Sequence, residues 1–339
     1  MNVTKDQLLL IAGVKAPRAA VVANAHSLAS VLAEWGPKYG LHLPHRLAHL
    51  IAQSAHESGG YKYDREVWGP TPAQKRYDTR VDLGNTPALD GDGERYKGRG
   101  PFQLTGRANY QAFTTWARIG GMMPPDFVAE PDAINSDPWE GLSVIWYWST
   151  RKLNDLADEN NIEQITKRVN GGLNGFDDRV HFYTRAALVL LGYELQDLGA
   201  DIRAFQRKAQ AAGLLPADVD GKPSQVDGDA GPKTRAAMHM MLVRSASGVP
   251  DTVAAAPVIE TKETQVPVAA QGADKVGLSR VLAAAPLLGS PIAAFGGLDN
   301  VTKAIVVGAI ILAVVALALR GEQIAARTRR ILASFGGDA

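Results

Sequence analysis

The run Arg95–Tyr110, RYKGRGPFQLTGRANY, reads as neither a packing strand nor a packing helix. It sets Gly98, Gly100 and Gly106 among Arg99, Gln103, Thr105, Arg107, Asn109 and Tyr110, mostly side chains that hydrogen-bond. Each glycine costs backbone entropy and removes a side chain, so an element built for a core would not carry three. Polar groups at that density usually face a cleft and grip a polar ligand. Upstream, AHESGGY at Ala55–Tyr61 puts Glu57 directly after the apolar run LAHLIAQSA and just before Gly59-Gly60. A carboxyl ending a buried helix stands where desolvation favours the protonated form that a general acid needs.

Around these two stretches the chain alternates helical periodicity with polar loops. His26–Trp35 carries Leu28, Val31, Leu32 and Trp35 at helical spacing, and Leu47–Ala55 repeats the pattern with Leu47, Leu50 and Ile51. Gly141–Leu153 adds Leu142, Ile145, Trp146 and Trp148, an aromatic cluster read as core rather than as a sugar-stacking surface. From Glu66 to Gly106 there is little period and much Gly, Pro and Asp, and a loop of that length inside a domain is usually functional. A mainly helical domain with a loop-lined cleft is expected.

Composition narrows the chemistry. With 339 residues, two folded units plus appendages are expected. The net charge of +1 gives no global field for nucleic acid. No cysteine is present, which removes disulfides, thiolate metal sites and cysteine nucleophiles together. Leu8–Val14 is apolar, but Lys5 and Asp6 cancel before it and Pro17-Arg18 follow, so it reads as a packing helix rather than a secretory signal.

Six blocks in order carry a family likeness: AHESGGY, REVWGPTPAQKRYDTRVDLGNT, YKGRGPFQLTGRANY, EPDAINSDPWEGLSVIWYW, VNGG at Val169–Gly172, and DDRVHFYTRA. From about Ala19 to Tyr193 the chain resembles the family 19 chitinases and the lysozyme-like phage endolysins that share their fold. The resemblance implies inverting hydrolysis of a β-1,4 glycosidic bond, with one carboxyl donating a proton and a second activating water. Glu57 is the acid by position and by resemblance. Two candidates stand for its partner. Asp78, in RYDTR, occupies the place of the plant-type base, but as Asp where Glu is usual. Glu66, in REVW, matches the second carboxylate of the endolysin branch, and the endolysin-like surroundings favour it. Thr105 matches the hydroxyl residue that holds the attacking water. Tyr96, Gln103, Asn109, Tyr110 and Asn170 match substrate-binding positions, and Arg179 matches an arginine that organises the carboxylates by ion pairing. Arg99 and Arg107 read as braces for loop carbonyls. His56-Glu57 begins like HExxH, but Gly60 stands where the second His must be. DGDGE at Asp90–Glu94 lacks the ligand pattern of a calcium loop and reads as a solvated turn. No metal and no cofactor are expected.

Beyond residue 195 the text changes. Ile202–Gly213 reads as an amphipathic helix ended by glycine, and Val226–Leu242 as a turn followed by a helix starting near Pro232. Together they resemble the small three-helix peptidoglycan-binding domains found beside many wall hydrolases. The alternative is a helical hairpin packed on the first domain. Residues 247–300 read as a linker, partly apolar. Ala304–Leu319 carries no charge and lies between Lys303 and Arg320, which predicts a transmembrane helix over 301–320 spanning roughly 24 Å. Arg320, Arg327, Arg329 and Arg330 lie beyond it, so residues 321–339 read as a cytoplasmic tail, with the enzyme on the outer side.

The expected organisation is therefore a lysozyme-like hydrolase domain at 1–195, a wall-binding unit at 196–246, the linker, and the membrane helix. The expected activity is endolysin-like cleavage of peptidoglycan. The alternatives are a chitinase and a catalytically silent, membrane-tethered wall-binding or virion protein.

Overall fold

The computed structural model describes residues 1–215, 217 and 224–247, all within the first of two compact units, Met1–Thr261. The runs expected to form the linker, the membrane helix and the cytoplasmic tail lie outside the described residues. Among those described, no helix is long and apolar enough to cross a membrane.

Twelve α-helices follow one another among the described residues: α1 Lys5–Ile11, α2 Ala19–Glu34, α3 Pro44–Glu57, α4 Pro72–Lys75, α5 Asp92–Arg95, α6 Arg107–Ile119, α7 Trp139–Thr150, α8 Leu153–Asp158, α9 Ile162–Asn170, α10 Phe176–Leu190, α11 Leu198–Ala211 and α12 Pro232–Ser247. Strand-like pairing among them is limited to two isolated antiparallel bridges, Arg65 with Arg99 and Arg99 with Leu104. The mainly helical architecture agrees with the sequence, and most of the stretch from Glu66 to Gly106 is loop and short turns, as its lack of period implies.

α3 is the axis of the packing. Pro44 opens it at the first turn, where a missing N–H costs nothing. Every residue from Pro44 to Ala55 except Arg46 is buried. Its largest neighbour is α10, whose Tyr183, Ala186, Ala187 and Leu190 face the same core. α2 packs on α7, and α1 on α2 and α10. α1 starts with a capping box between Thr4 and Gln7 and buries Leu8, Leu9 and Ile11, the packing role its sequence suggests. The α7 aromatics are core: Trp146 is 4% exposed and Trp148 fully buried. Phe113 lies 5.7 Å from Trp146 and 4.9 Å from Phe127, ring centre to ring centre.

The expected boundary at residue 195 does not separate two cores. α11 packs on α10 and α12, and α12 on both α3 and α10. Ile202, Phe205, Met238, Met241 and Leu242 belong to the same apolar cluster as Leu47, Leu50 and Ile51. The α12 ring of His239 meets His45 edge-on at 5.3 Å and lies 6.3 Å from His49. A helix that shares its buried face with the central rod belongs to that body physically. α11 also begins earlier than its periodicity suggests, because Asp197 caps it by accepting from Ala200 N.

Candidate active site

Gln53 and Glu57 stand one turn apart on α3 and so share a face. Both meet Arg179 of α10: one guanidinium nitrogen donates to Gln53 Oε1 and another to Glu57 Oε1. Arg179 is 1% exposed, whereas Glu57 keeps 23% of its side chain open. The carboxyl thus sits at the edge of the core on a buried cation, not in the wholly apolar setting that the flanking sequence suggests. The ion pair expected for Arg179 is present. Beside it, His56 Nδ1 and Asp178 Oδ2 are 2.6 Å apart, so neighbouring residues at the end of α3 meet neighbouring residues at the start of α10. Gly175, the α10 cap, allows this approach: a Cβ there would fall 2.2 Å from His56 Cε1.

The polar loop supplies the other side. Glu66 N donates to Gly98 O at 2.8 Å, and Gly98 N donates back to Glu66 Oε2 at 3.1 Å. The second carboxylate oxygen, Oε1, accepts from Gln74 Nε2 at 3.0 Å. Gln103 has φ 50°, left-handed for a residue with a side chain, and its Nε2 donates to Gly100 O at 3.1 Å. Gly98 lets the amide lie close, because a Cβ there would fall 2.5 Å from Gln103 Oε1 and displace it. Thr105 Oγ1 donates to Gln103 O at 2.9 Å, and Asn109 Nδ2 donates to Thr105 O at 2.7 Å. Thr105, Gln103 and Asn109 are therefore brought together, each half-buried. Arg99 braces this loop as expected, donating to Arg95 O and Lys97 O and pairing with Asp132. Arg107 has an exposed side chain, and the backbone N–H of Arg107, not its guanidinium, donates to Asn85 Oδ1 at 3.0 Å.

Other expected residues stand elsewhere. Tyr96 and Tyr110 are 2% and 0% exposed, with hydroxyls donating to Val128 O and Lys97 O. Their rings pack on each other at 5.3 Å, so they are core supports of the loop rather than substrate contacts. Asp78 Oδ1 accepts from Gly93 N at 2.9 Å and so caps the first turn of α5 from fifteen residues upstream. Asn170 is exposed at the end of α9, and its Nδ2 lies 3.4 Å from Asn174 O. Within Asp90–Glu94, Asp90 and Gly91 form an exposed bend and Asp92 begins α5. There Asp92 accepts from Thr86 N. Among the described residues no group of three or more His, Asp or Glu side chains is arranged to hold a metal ion.

Gln53, Gln74, Tyr147 and Arg151 were not singled out in the sequence. Phe102, in the polar loop, stacks on Tyr147 at 4.5 Å, and the Arg151 guanidinium covers the same ring at 3.6 Å. Burial pushes the Tyr147 phenol up, the Arg151 cation opposes the rise, and Glu57 adds to it. The signal for Gln53 was present: it precedes Glu57 by one helical turn.

A glycosyl hydrolase family 19 domain-containing protein of Haemophilus influenzae is 36% identical over 170 residues, covering 42% of this chain and 78% of that protein. The chain belongs to glycosyl hydrolase family 19. It is accordingly a glycoside hydrolase. An endochitinase of Pisum sativum is 27% identical over 170 residues, 41% of this chain and 51% of the plant protein. No protein-family model matches the chain. Chitinase C of Streptomyces griseus aligns structurally over 56% of this chain and 92% of its own, at 21% identity and a TM-score of 0.39, a likeness that adds nothing to the assignment.

Proposed function

We propose that this family 19 hydrolase cleaves β-1,4 bonds in the glycan strands of bacterial peptidoglycan, in the manner of an endolysin. The observation that carries the mechanism is the pair of differently held carboxyl groups: Glu57 on Arg179, and Glu66 between Gly98 N and Gln74. Glu57 donates its proton to the leaving glycosidic oxygen as the C–O bond breaks. Glu66 takes a proton from the water that attacks the opposite face of the sugar, giving inversion. The Thr105 hydroxyl donates to Gln103 O, so its lone pairs remain to accept from that water. Asp78 accepts through one oxygen at the start of α5, whereas Glu66 is held through both, and this two-sided hold on its direction supports Glu66 as the second carboxylate. Gln103 and Asn109 offer amide groups that suit N-acetyl and hydroxyl recognition.

Support for peptidoglycan comes from the remainder of the chain. The sequence of residues 196–246 resembles wall-binding units, although its helices share the hydrolase core, and α11 with the start of α12 frames an open pocket of about 440 Å³ lined by Gln206, Ser224, Asp227, Asp229 and Thr234. The charge-free run Ala304–Leu319 with its arginine-rich flank supports anchorage through 301–320, the tail inside and the hydrolase outside. Protease added to spheroplasts is then expected to digest the hydrolase and spare a tag placed after Ala339. Chitin is the second reading, favoured by the name of the pea relative. Zymograms on purified sacculi beside a chitin assay separate the two. Clearing of chitin with intact sacculi would reverse the choice, and clearing of neither would overturn both substrate readings.

A further inference from the structure

The side chain of Gln74 uses every hydrogen-bonding position it has. Its Oε1 accepts from Thr71 N at 2.8 Å and Gly69 N at 3.2 Å, and its Nε2 donates to Val67 O at 2.9 Å and Glu66 Oε1 at 3.0 Å. The residue is 8% exposed. The Oε1 contacts belong to the capping box that starts α4, in which Thr71 Oγ1 accepts from Gln74 N. The capping box explains only half of the side chain. A glutamate at the same position would cap α4 equally well, since Glu and Gln share that role. What Glu lacks is the Nε2 donor, and that donor is the half that reaches Glu66.

We infer that Gln74 is a positioning residue for the reaction: its amide nitrogen fixes the Glu66 carboxylate in the rotamer that faces the attacking water. The inference rests on the reading of Glu66 as the second carboxylate. Glu66 sits on a loop, so no helix sets its direction. Its two oxygens are held from two sides, Oε2 by Gly98 N of the polar loop and Oε1 by Gln74. Removing one hold leaves the carboxylate free to rotate about the other. Misplacement of a reacting group by about 1 Å costs on the order of 100-fold in rate.

Gln74→Glu separates positioning from capping. It keeps the cap of α4 but sets a carboxylate against Glu66 Oε1. Two adjacent carboxylates cannot both ionise freely, so the pair shares a proton at lower pH. In that form protonated Glu at position 74 again donates to Glu66. Three measurements are expected to agree. At neutral pH kcat falls roughly 10- to 100-fold with KM changed by less than about 3-fold. At the lower pH, where the pair shares a proton, the melting temperature stays within about 4 °C of the parent, whereas the paired charges lower it further at neutral pH. The alkaline limb of the pH–rate profile moves to lower pH, because acid restores the missing donor. Gln74→Met, which has no donor at any pH, serves as the second variant and should lose activity across the whole profile. Equal losses in the two variants at every pH, or a Gln74→Glu enzyme within two-fold of the parent, would overturn the positioning role. Glu66→Gln run alongside keeps the two ideas apart: if that variant remains active, the assignment of Glu66 fails.

Discussion

Arg179 touches Glu57 and Gln53 with separate nitrogens while lying wholly inside the protein. Lysine carries the same charge but presents one compact ammonium, which cannot hold both partners in a fixed fork. Arg179→Lys is expected to lower kcat by roughly 10- to 100-fold, because the acid loses its orientation. It should also lower the melting temperature, since Gln53 Oε1 is left buried without its donor. Glu57→Gln retains the acceptor that Arg179 needs and removes the transferable proton. The fold should be retained with a lowered melting temperature, because buried Arg179 loses its counter-charge, while turnover falls at least about 100-fold; turnover within a few-fold of the parent would take Glu57 out of the mechanism. Asp78→Asn keeps an oxygen for Gly93 N and should remain active. The place of Glu57 at the end of a buried helix was legible in the sequence, because an apolar run ends there against two glycines. The supports of Glu66 were harder to see, since a hydrogen bond from Gln74 leaves no periodic trace, although the Thr71–Gln74 capping box is written in the letters. Tyr96 and Tyr110 were misread because a family position fixes which residue is present and not which way its hydroxyl points.

At the scale of elements the decisive fact is that α12 packs against α3. Helix existence followed from apolar spacing where a period was present, and α2, α3 and α7 stand close to where the pattern puts them. The partnership of α12 did not follow, because periodicity identifies a buried face without naming what covers it. His45, His49 and His239 illustrate the gap: three polar letters in the sequence, they form a buried contact between α3 and α12. Ending the chain at residue 195 would uncover that face and remove Ile202, Phe205, Met238, Met241 and Leu242 from the core. Each such side chain contributes roughly 1.5–3 kcal/mol by burial, against a total stability of about 5–15 kcal/mol for a domain. A 1–195 fragment is therefore expected to melt far below a 1–247 fragment or to aggregate. Equal melting temperatures would make α11 and α12 an independent module.

For the molecule as a whole, two buried clusters should bend stability with pH in opposite directions. Burial, with the nearby His45 charge, pushes His239 down to about 4, and burial also lowers His45 and His49. Asp158, on His45 Nε2, opposes the lowering at all three, and Arg46 adds to it at His45. Unfolding releases these histidines to bind protons, so stability is full above their ordinary value near 6.5 and is lost as pH falls toward 4. Glu140 runs the other way. Burial, then Asp64 and Asp137, push its carboxyl up to about 7, so its folded form holds a proton that the unfolded chain has already released. Its contribution is full below its ordinary value of 4.5 and is lost as pH rises through about 7. Urea unfolding between about pH 4 and pH 8 should show a flattened maximum in the parent. Glu140→Gln should remove the decline at the alkaline end, and identical curves for variant and parent would show that Glu140 does not titrate within the fold.

The two carboxyl groups are mounted on frames of unequal strength. Glu57 ends a helix whose residues are almost all buried, whereas Glu66 hangs between two loop segments joined by a handful of hydrogen bonds. Segments with few apolar contacts open at lower free energy than the core around them. Warming should therefore unship the water-activating side of the reaction while the helices still hold. Reversible loss of turnover is expected to begin about 5 °C or more below the calorimetric transition, with substrate protecting against it. The working temperature of the enzyme would then be set by the exposed segment that carries Glu66, and stabilising its helices further would leave that ceiling where it is.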